Sequence, residues 1–391
     1  MLLEDPYRPP QISQQKHFSQ GYKELLKARK ILLVRLDNIG DVIMIGPAVR
    51  ALRAYLKDVH ITLMASPAGR LAAPLVPGID ATITERTIWQ DMSGELTMDK
   101  KRELAQAKRI RKGNFDAAII FTSFSQSPYP PAFACYLAGI PVRIAQSKEF
   151  GGGVLTHWIR PPADELHQVD RNLHLLESLG LPSKGRDLQV SLSRRSESNA
   201  EKLLRRAKVK LSEEFVAVVP GASCQAREYP IERFVRIAGR LARDGIQVVL
   251  LGSAKERVRL QAEEGLSSPL IHNLAGFTGV GEFAAIISKA SLVFANDSSA
   301  MHLADAFGRP SVVLFSGTDR ESQWQPRFSR SVLLRKHTDC APCYRMKCPY
   351  GLECLDIDPA EAVISGYQLM SGGTPRRRHE RLIETTLEGA K

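Results

Sequence analysis

The 391-residue sequence predicts an α/β protein of two doubly wound units facing a central cleft. Two observations predict it. Short, continuous apolar runs alternate with helical stretches, the pattern of buried parallel strands covered by helices. The alternation then weakens over residues 181–195, where Pro182, Lys184, Gly185 and Arg186 suggest a linker, and restarts beyond it. The length is comfortable for two domains. Ligands of such open sheets bind outside the carboxyl ends of the strands.

Residues 1–28 read as an N-terminal extension, helical from about residue 18. Residues 31–36, Ile-Leu-Leu-Val-Arg-Leu, form a first buried strand. A helix over 48–57, a strand over 60–65 and a short third strand over 82–84 follow. A charged helix spans 98–112, a buried strand 117–121, a short helix 131–137 and a strand 142–145. The second unit opens with a strand at 215–219, a helix at 231–243 and a strand at 247–251. Helices over 255–264 and 280–289 precede a strand at 292–295, a helix at 300–307 and a strand at 311–315. A last helix covers 359–370. The expected division is therefore 1–28, 29–185, 186–358 and a C-terminal piece, 359–391.

Hydrophobic residues make up 43% and charged residues 25%, values of a water-soluble globular chain. No apolar run reaches the ~18 residues of a membrane span, and residues 1–30 lack the apolar core of a secretion signal. A cytoplasmic setting follows. The formal charge of +12 points to an anionic neighbour or to solubility. Basic groups gather at 100–102, 108–112, 205–210 and in the tail, Arg376-Arg377-Arg378. No helix-turn-helix, zinc-finger or aromatic-interleaved RNA signature accompanies them, so nucleic acid is not expected as a partner. Peripheral contact with the inner face of a membrane fits the charge, and so does a plain solvated surface.

Val293 to His302 runs from an apolar strand into Asn296-Asp297-Ser298-Ser299 and then a helix. Such a junction aims unpaired backbone N–H groups at one point, where an anion can sit. His302 lies one turn in, on a face that can turn the same way. Asp297 and Ser298 either cap the helix or hold a ligand hydroxyl. A matching junction ends the strand 215–219. Pro220-Gly221-Ala222-Ser223 is a backbone-rich loop, and Arg227 adds a fixed cationic fork suited to a diphosphate. In the first unit, Arg35-Leu36-Asp37-Asn38-Ile39-Gly40-Asp41 follows the opening strand. Gly40 permits a turn or a close approach. Asp41 stands where a helix begins, as a cap or as a cleft carboxylate able to take a proton from a hydroxyl. The dinucleotide fingerprint G-x-G-x-x-G is absent here, which argues against a nicotinamide enzyme.

Cys340, Cys343, Cys348 and Cys354 gather four of the six cysteines in fifteen residues. In a reducing compartment disulfides are not expected, and four close thiols suggest a tetrahedral metal or simply reduced cysteines in a loop. Cys135 and Cys224 read as packing residues.

Together, Gly40-Asp41, Pro220-Gly221-Ala222 with Arg227-x-Tyr229-Pro230, Leu274-Ala275-Gly276-x-Thr278 and Asn296-Asp297-Ser298-x-x-Met301-His302 resemble glycosyltransferase family 9. These are the heptosyltransferases of lipopolysaccharide core assembly, and the resemblance covers roughly residues 30–370. It implies a GT-B fold with the nucleotide sugar on the second domain and the acceptor on the first. It implies inverting transfer from ADP-heptose to an anionic glycolipid or glycan, with no cofactor for catalysis. Asp41 matches the catalytic base. Arg35, with Asn38 and Gly40 beside it, falls at the acceptor. Gly221, Ser223, Arg227, Thr278, Asp297, Ser298, Ser299 and His302 fall at the donor, Ser299 standing where many relatives carry glycine. At Gly252–Glu256 no clear ribose-binding acid is evident. The cysteine loop resembles loops that imply structural zinc or iron. Another nucleotide-hexose donor, or a catalytically silent GT-B binding module, are the alternatives. The C-terminal helix is expected to return to the first domain.

Overall fold

The structure, a computed structural model, describes residues 14–91 and 94–371. An entry helix, α1 (Gln14–Lys27), precedes β1 (Lys30–Arg35), α2 (Ile39–Met44), α3 (Gly46–Tyr55), β2 (His60–Ala65), α4 (Pro67–Arg70) and β3 (Ala81–Thr84). Then come α5 (Lys100–Arg111), β4 (Ala117–Ile120), α6 (Tyr129–Leu137), β5 (Val142–Gln146), β6 (His157–Ile159) and α7 (Gln168–Glu177). The six strands form one parallel sheet in the order β3-β2-β1-β4-β5-β6. Fully buried runs such as Ile31–Val34 explain the parallel pairing, because both faces of the sheet are covered.

The second unit holds α8 (Arg194–Arg206), β7 (Phe215–Val219), α9 (Ile231–Arg243), β8 (Gln247–Leu250), α10 (Ala254–Gln261) and β9 (Ile271–Asn273). It continues with α11 (Val280–Lys289), β10 (Leu292–Asn296), α12 (Ser299–Ala306), β11 (Ser311–Leu314), α13 (Glu321–Trp324), β12 (Ser331–Leu334) and α14 (Pro359–Met370). Its parallel sheet runs β12-β11-β10-β7-β8-β9. Counted within each unit, both sheets share the order 3-2-1-4-5-6 of doubly wound nucleotide-binding folds. Strand order reverses between β1 and β4 in the first unit and between β7 and β10 in the second. Each such switch point opens a crevice at the strand ends.

The units meet along one seam. Gln323 Nε2 donates to the Asp164 carbonyl at 2.7 Å, and Arg327 Nη1 pairs with Asp170 Oδ2 at 2.8 Å. The Trp324 ring meets Phe124 edge-on at 5.9 Å.

One expectation is corrected. The last helix, α14, does not return to the first unit; it packs on α9 and on β10, β11 and β12 of the second. Ala362, Val363, Tyr367 and Leu369 join the core that holds Phe234, Phe294 and Leu314. Tyr367 Oη donates to Asp244 at the end of α9, and Gly366 lets the helix lie against the Phe294 ring, where a Cβ would stand 2.6 Å from Cζ. The arginine-rich tail and residues 1–13 lie outside the described residues, so the tail's expected lipid contact is not addressed by the fold.

Candidate functional site

The residues singled out after β1 meet in one buried cluster. Arg35 closes β1 and is fully buried. Its Nη2 donates to Asp41 Oδ1 at 2.7 Å and to Ser123 Oγ at 2.8 Å, while Nε lies 3.0 Å from Asp37 Oδ2. Its Nη1 is buried without a hydrogen-bond partner among the described residues. Burial opposes the guanidinium charge, yet the two carboxylates outweigh it and raise the Arg35 pKa. Arg35 therefore grips Asp41 from beneath and has no surface to offer an acceptor, which corrects the expected direct contact.

Asp41 sits at the third position of α2. Its Oδ2 accepts the Asn38 backbone N–H at 3.1 Å, so the capping role is real. Its other oxygen faces Arg35. The carboxylate is thus a helix cap through one oxygen and an ion-pair partner of Arg35 through the other. Asn38 is exposed at the helix N-cap. Asp37 is held by Gln90 Nε2 at 2.6 Å and Gln126 Nε2 at 2.5 Å. Burial pushes its carboxyl up, against the pull of Arg35. A cavity beyond the strand ends is lined by Asp37, Trp89, Gln90, Thr122 and Gln126.

The second cluster forms where β7 and β10 end. Asn296 ties the two junctions together: its Nδ2 donates to the Pro220 carbonyl at 2.8 Å and its Oδ1 accepts the Tyr229 N–H at 3.1 Å. That bracket fixes the loop carrying Arg227. The Arg227 fork reaches Thr318 Oγ1 at 3.0 Å, Ser223 Oγ at 3.3 Å and Asp319 Oδ2 at 2.5 Å, with Asp297 Oδ2 3.8 Å away. Desolvation works against its charge, but Asp297 and Asp319 raise its pKa. Burial pushes the Asp297 carboxyl up to about 7, despite Arg227 and the Ser316 hydroxyl, which donates at 3.1 Å. Asp297 Oδ1 and Ser298 Oγ are buried and lack hydrogen-bond partners among the described residues. Such orphans fit a ligand's hydroxyls better than an apolar core. Ser298 caps α12 through its backbone position and Ser299 opens the helix, half-buried.

His302 joins the two clusters. Its ring packs on Gly40, where a Cβ would stand 2.6 Å from Cδ2. The absence of a side chain at Gly40 lets α2 approach α12 across the seam. Burial depresses the His302 pKa to about 4, although Asp41 and Asp305 pull it upward, so the ring is neutral at physiological pH.

Gly221 lies against Glu256, its ideal Cβ 3.1 Å from Cδ. Glu256 is buried and accepts from the Ser253 N–H at 2.8 Å and hydroxyl at 2.6 Å. An acid does stand at this edge, then, turned inward as a helix cap. Thr278 is half-buried on the loop between β9 and α11, beside Phe277, whose exposed ring lies 4.1 Å under the Arg257 guanidinium.

The cysteine loop lies directly behind Arg227. Cys354 Sγ accepts the Gly317 N–H at 3.2 Å, and the Cys343 N–H donates to the Gly317 carbonyl at 3.0 Å. On its other side the loop's Met346 carbonyl accepts the Ala226 N–H at 3.2 Å, and its Cys348 N–H donates to Gln225 Oε1 at 2.8 Å. Cys340, Cys343, Cys348 and Cys354 line one cavity as free thiols. Among the described residues, however, no group of three or more His, Cys, Asp or Glu is arranged to hold a metal ion. The thiols as placed thus do not form the expected tetrahedral set.

Sequence reasoning missed Asp37, Ser123, Thr318 and Asp319. Only Asp37 carried a local signal, a carboxylate two residues beyond a buried arginine.

Comparison with known proteins gives concordant results. The family model described as glycosyltransferase family 9 (heptosyltransferase) matches residues 104–353, more than half of the chain. Lipopolysaccharide heptosyltransferase 2 of Escherichia coli (strain K12) is 28% identical over 297 residues, 73% of this chain and 82% of that protein. Among solved structures, a family 9 glycosyl transferase from Veillonella parvula DSM 2008 superposes with a TM-score of 0.68 at 20% identity, covering 88% of this chain and 97% of the other. The E. coli ADP-heptose lps heptosyltransferase II gives 0.67 at 22% identity, covering 88% and 99%. At that identity the two superpositions establish the shared fold.

Proposed function

The chain belongs to glycosyltransferase family 9, the heptosyltransferases, and from that premise we propose that it transfers heptose from ADP-heptose to an anionic glycolipid or glycan of the lipopolysaccharide-core type, with inversion and without a catalytic metal. The observation that carries the reading is the confrontation of the two switch points. Asp41 stands on one, Arg227 and the start of α12 on the other, and His302 packs on Gly40 between them.

In this mechanism Asp41 accepts the proton of the acceptor hydroxyl as its oxygen bonds to the anomeric carbon. The bond from that carbon to the diphosphate breaks on the opposite face, and its electron pair leaves with ADP. A sugar centre of cationic character forms as the leaving group gains charge. Arg227 and the backbone N–H groups opening α12 meet that charge, the helix end contributing about half an elementary charge. Asp297 and Ser298 bind donor hydroxyls. Arg35 positions Asp41, and Asp37 shares the guanidinium. Phe277 and Thr278 offer a flat, half-open bed for a purine. The domain limits at residues 28, 185 and 358 remain part of the proposal.

No helix among the described residues is long and apolar enough to cross a membrane. A cytoplasmic setting with contact at the inner face of a membrane belongs to the same reading. So does a structural zinc or iron on the cysteine loop. What supports it is four thiols bordering one cavity; what it requires is that they draw together from where they stand. No catalytic step runs through it, and metal content near or far from one equivalent decides it.

Nucleotide binding tests the donor. Thermal-shift titration is expected to rank ADP above UDP and GDP; a preference for UDP or GDP would mean another hexose donor. Binding of ADP by a chain that transfers heptose to no acceptor would mean a silent module. The pH dependence has a defined sign. Asp297 is protonated below about 7 in the fold and above about 4 is ionised when unfolded, so its contribution to stability falls as pH rises between those values. Above about 7 its charge opposes the diphosphate. ADP affinity therefore falls several-fold from about pH 6 to about pH 8, beyond the change ADP's own titration causes, and Asp297→Asn removes that excess. An identical profile in the variant refutes the assignment.

A further inference from the structure

Surface helix α6 is apolar on every side. Its sequence, Tyr129-Pro130-Pro131-Ala132-Phe133-Ala134-Cys135-Tyr136-Leu137, holds no charged residue. A helix of that kind belongs in a core or against lipid. Ala132 and Cys135 do face the core of the first unit, but Phe133 is 50% and Tyr136 55% exposed, and Leu137 lies beside them. Phe133 and Tyr136 stack with ring centroids 6.1 Å apart. The loop after β5 extends this face. Tyr129 Oη donates to the Glu149 carbonyl at 2.5 Å, and the next residue, Phe150, is 86% exposed.

This apolar face has a cationic border. Residues 100–112 carry seven Lys and Arg against one acid, Glu103. Helix α5 packs on α6, and Arg111 Nη2 donates to the Leu137 carbonyl at 2.8 Å, so the basic end of α5 adjoins the apolar end of α6. Lys108 and Lys112 are exposed there. Aromatic and aliphatic side chains flanked by exposed lysines match the boundary of an anionic bilayer, where rings enter the interface and ammonium groups meet lipid phosphates.

Its location is equally telling. The loop entering α6 carries Ser123 and Gln126, which bond to Arg35 and Asp37 at the floor of the first switch point. The apolar face therefore begins at the rim of the crevice that holds Asp41.

We propose that α6 and Phe150, bordered by the end of α5, form a docking surface for an anionic phospholipid bilayer. The surface sets the first unit's crevice at the lipid boundary. Docking is independent of sugar transfer, so it can fail while the transfer reading stands, and the reverse.

The test is co-sedimentation of the full chain with vesicles of phosphatidylglycerol and phosphatidylethanolamine, against vesicles of phosphatidylcholine. The chain is expected to bind the anionic vesicles more tightly and to be released by salt. Phe133→Ser combined with Phe150→Ser, and separately Lys108→Glu combined with Lys112→Glu, are each expected to weaken that binding about tenfold or more. Both pairs keep the thermal shift given by ADP, which reports an intact fold. Absence of binding to anionic vesicles overturns the proposal. Binding untouched by both pairs overturns it as well, because the contact would then lie elsewhere, as on the arginine-rich tail. A dimer in sedimentation velocity that the serine pair dissociates also overturns it, since a second copy would cover the face.

Discussion

Asp41→Asn lowers turnover by about 10²–10⁴-fold, the usual yield of a positioned general base, while ADP affinity stays near that of the wild type. The geometry explains why the two effects separate. Asparagine retains the side-chain shape and an oxygen for Arg35 Nη2, 2.7 Å from Asp41 Oδ1; it gives up the bond that Oδ2 accepts from the Asn38 N–H, a cap worth about 1 kcal/mol, which leaves the seam with His302 in place. What disappears is the basic oxygen that receives the acceptor's proton in the proposed mechanism. The groups proposed to bind the donor, Arg227, Asp297 and Ser298, sit on the other unit and are untouched. Single-turnover transfer with saturating donor is the measurement. Near-wild-type turnover in Asp41→Asn would sink the base assignment. Loss of ADP binding alongside turnover would instead show that the residue acts through the seam between the units.

That separation also marks what the sequence could reveal. The two strand ends that form the second unit's switch point were readable because each is a short apolar run ending in small polar residues, as at Val218-Val219-Pro220-Gly221 and Ala295-Asn296-Asp297-Ser298. The repeated alternation announced two parallel sheets, but their shared strand order is seen only in the structure. Partners of the key arginines were not readable. Ser123 stands 88 residues from Arg35, and Asp319 stands 92 residues from Arg227; only the closed sheets bring them together. Arg35 illustrates the consequence. The family resemblance placed it at the acceptor, but the depth of β1 buries it, and there it holds Asp41. Helix α8 was not read from the sequence; its thirteen residues bury only Ala200 and Leu204. For α14, amphipathic spacing announced a helix without saying which sheet it would cover.

Arg227→Ala is expected to weaken ADP binding by about 10- to 100-fold, the worth of hydrogen bonds to a charged group, with a far smaller effect on AMP. The asymmetry follows from what the fork does. Asp297, Asp319 and an incoming diphosphate are three anions around one guanidinium. Without it, the two carboxylates face each other and the ligand's charge with only Thr318, Ser316 and the α12 N–H groups as donors. Removing one partner of such a buried group is costly chiefly because of the charge left behind. Asp297 should then hold its proton to higher pH, since Arg227 is the group that opposes its upward shift. Arg227→Lys separates charge from shape: it restores part of the affinity but cannot reach Thr318, Ser223 and Asp319 at once. Calorimetry with ADP and AMP, with a melting curve as the check on folding, gives the answer. Equal losses for ADP and AMP would move Arg227 away from the second phosphate, and unchanged ADP affinity would remove it from the donor site altogether.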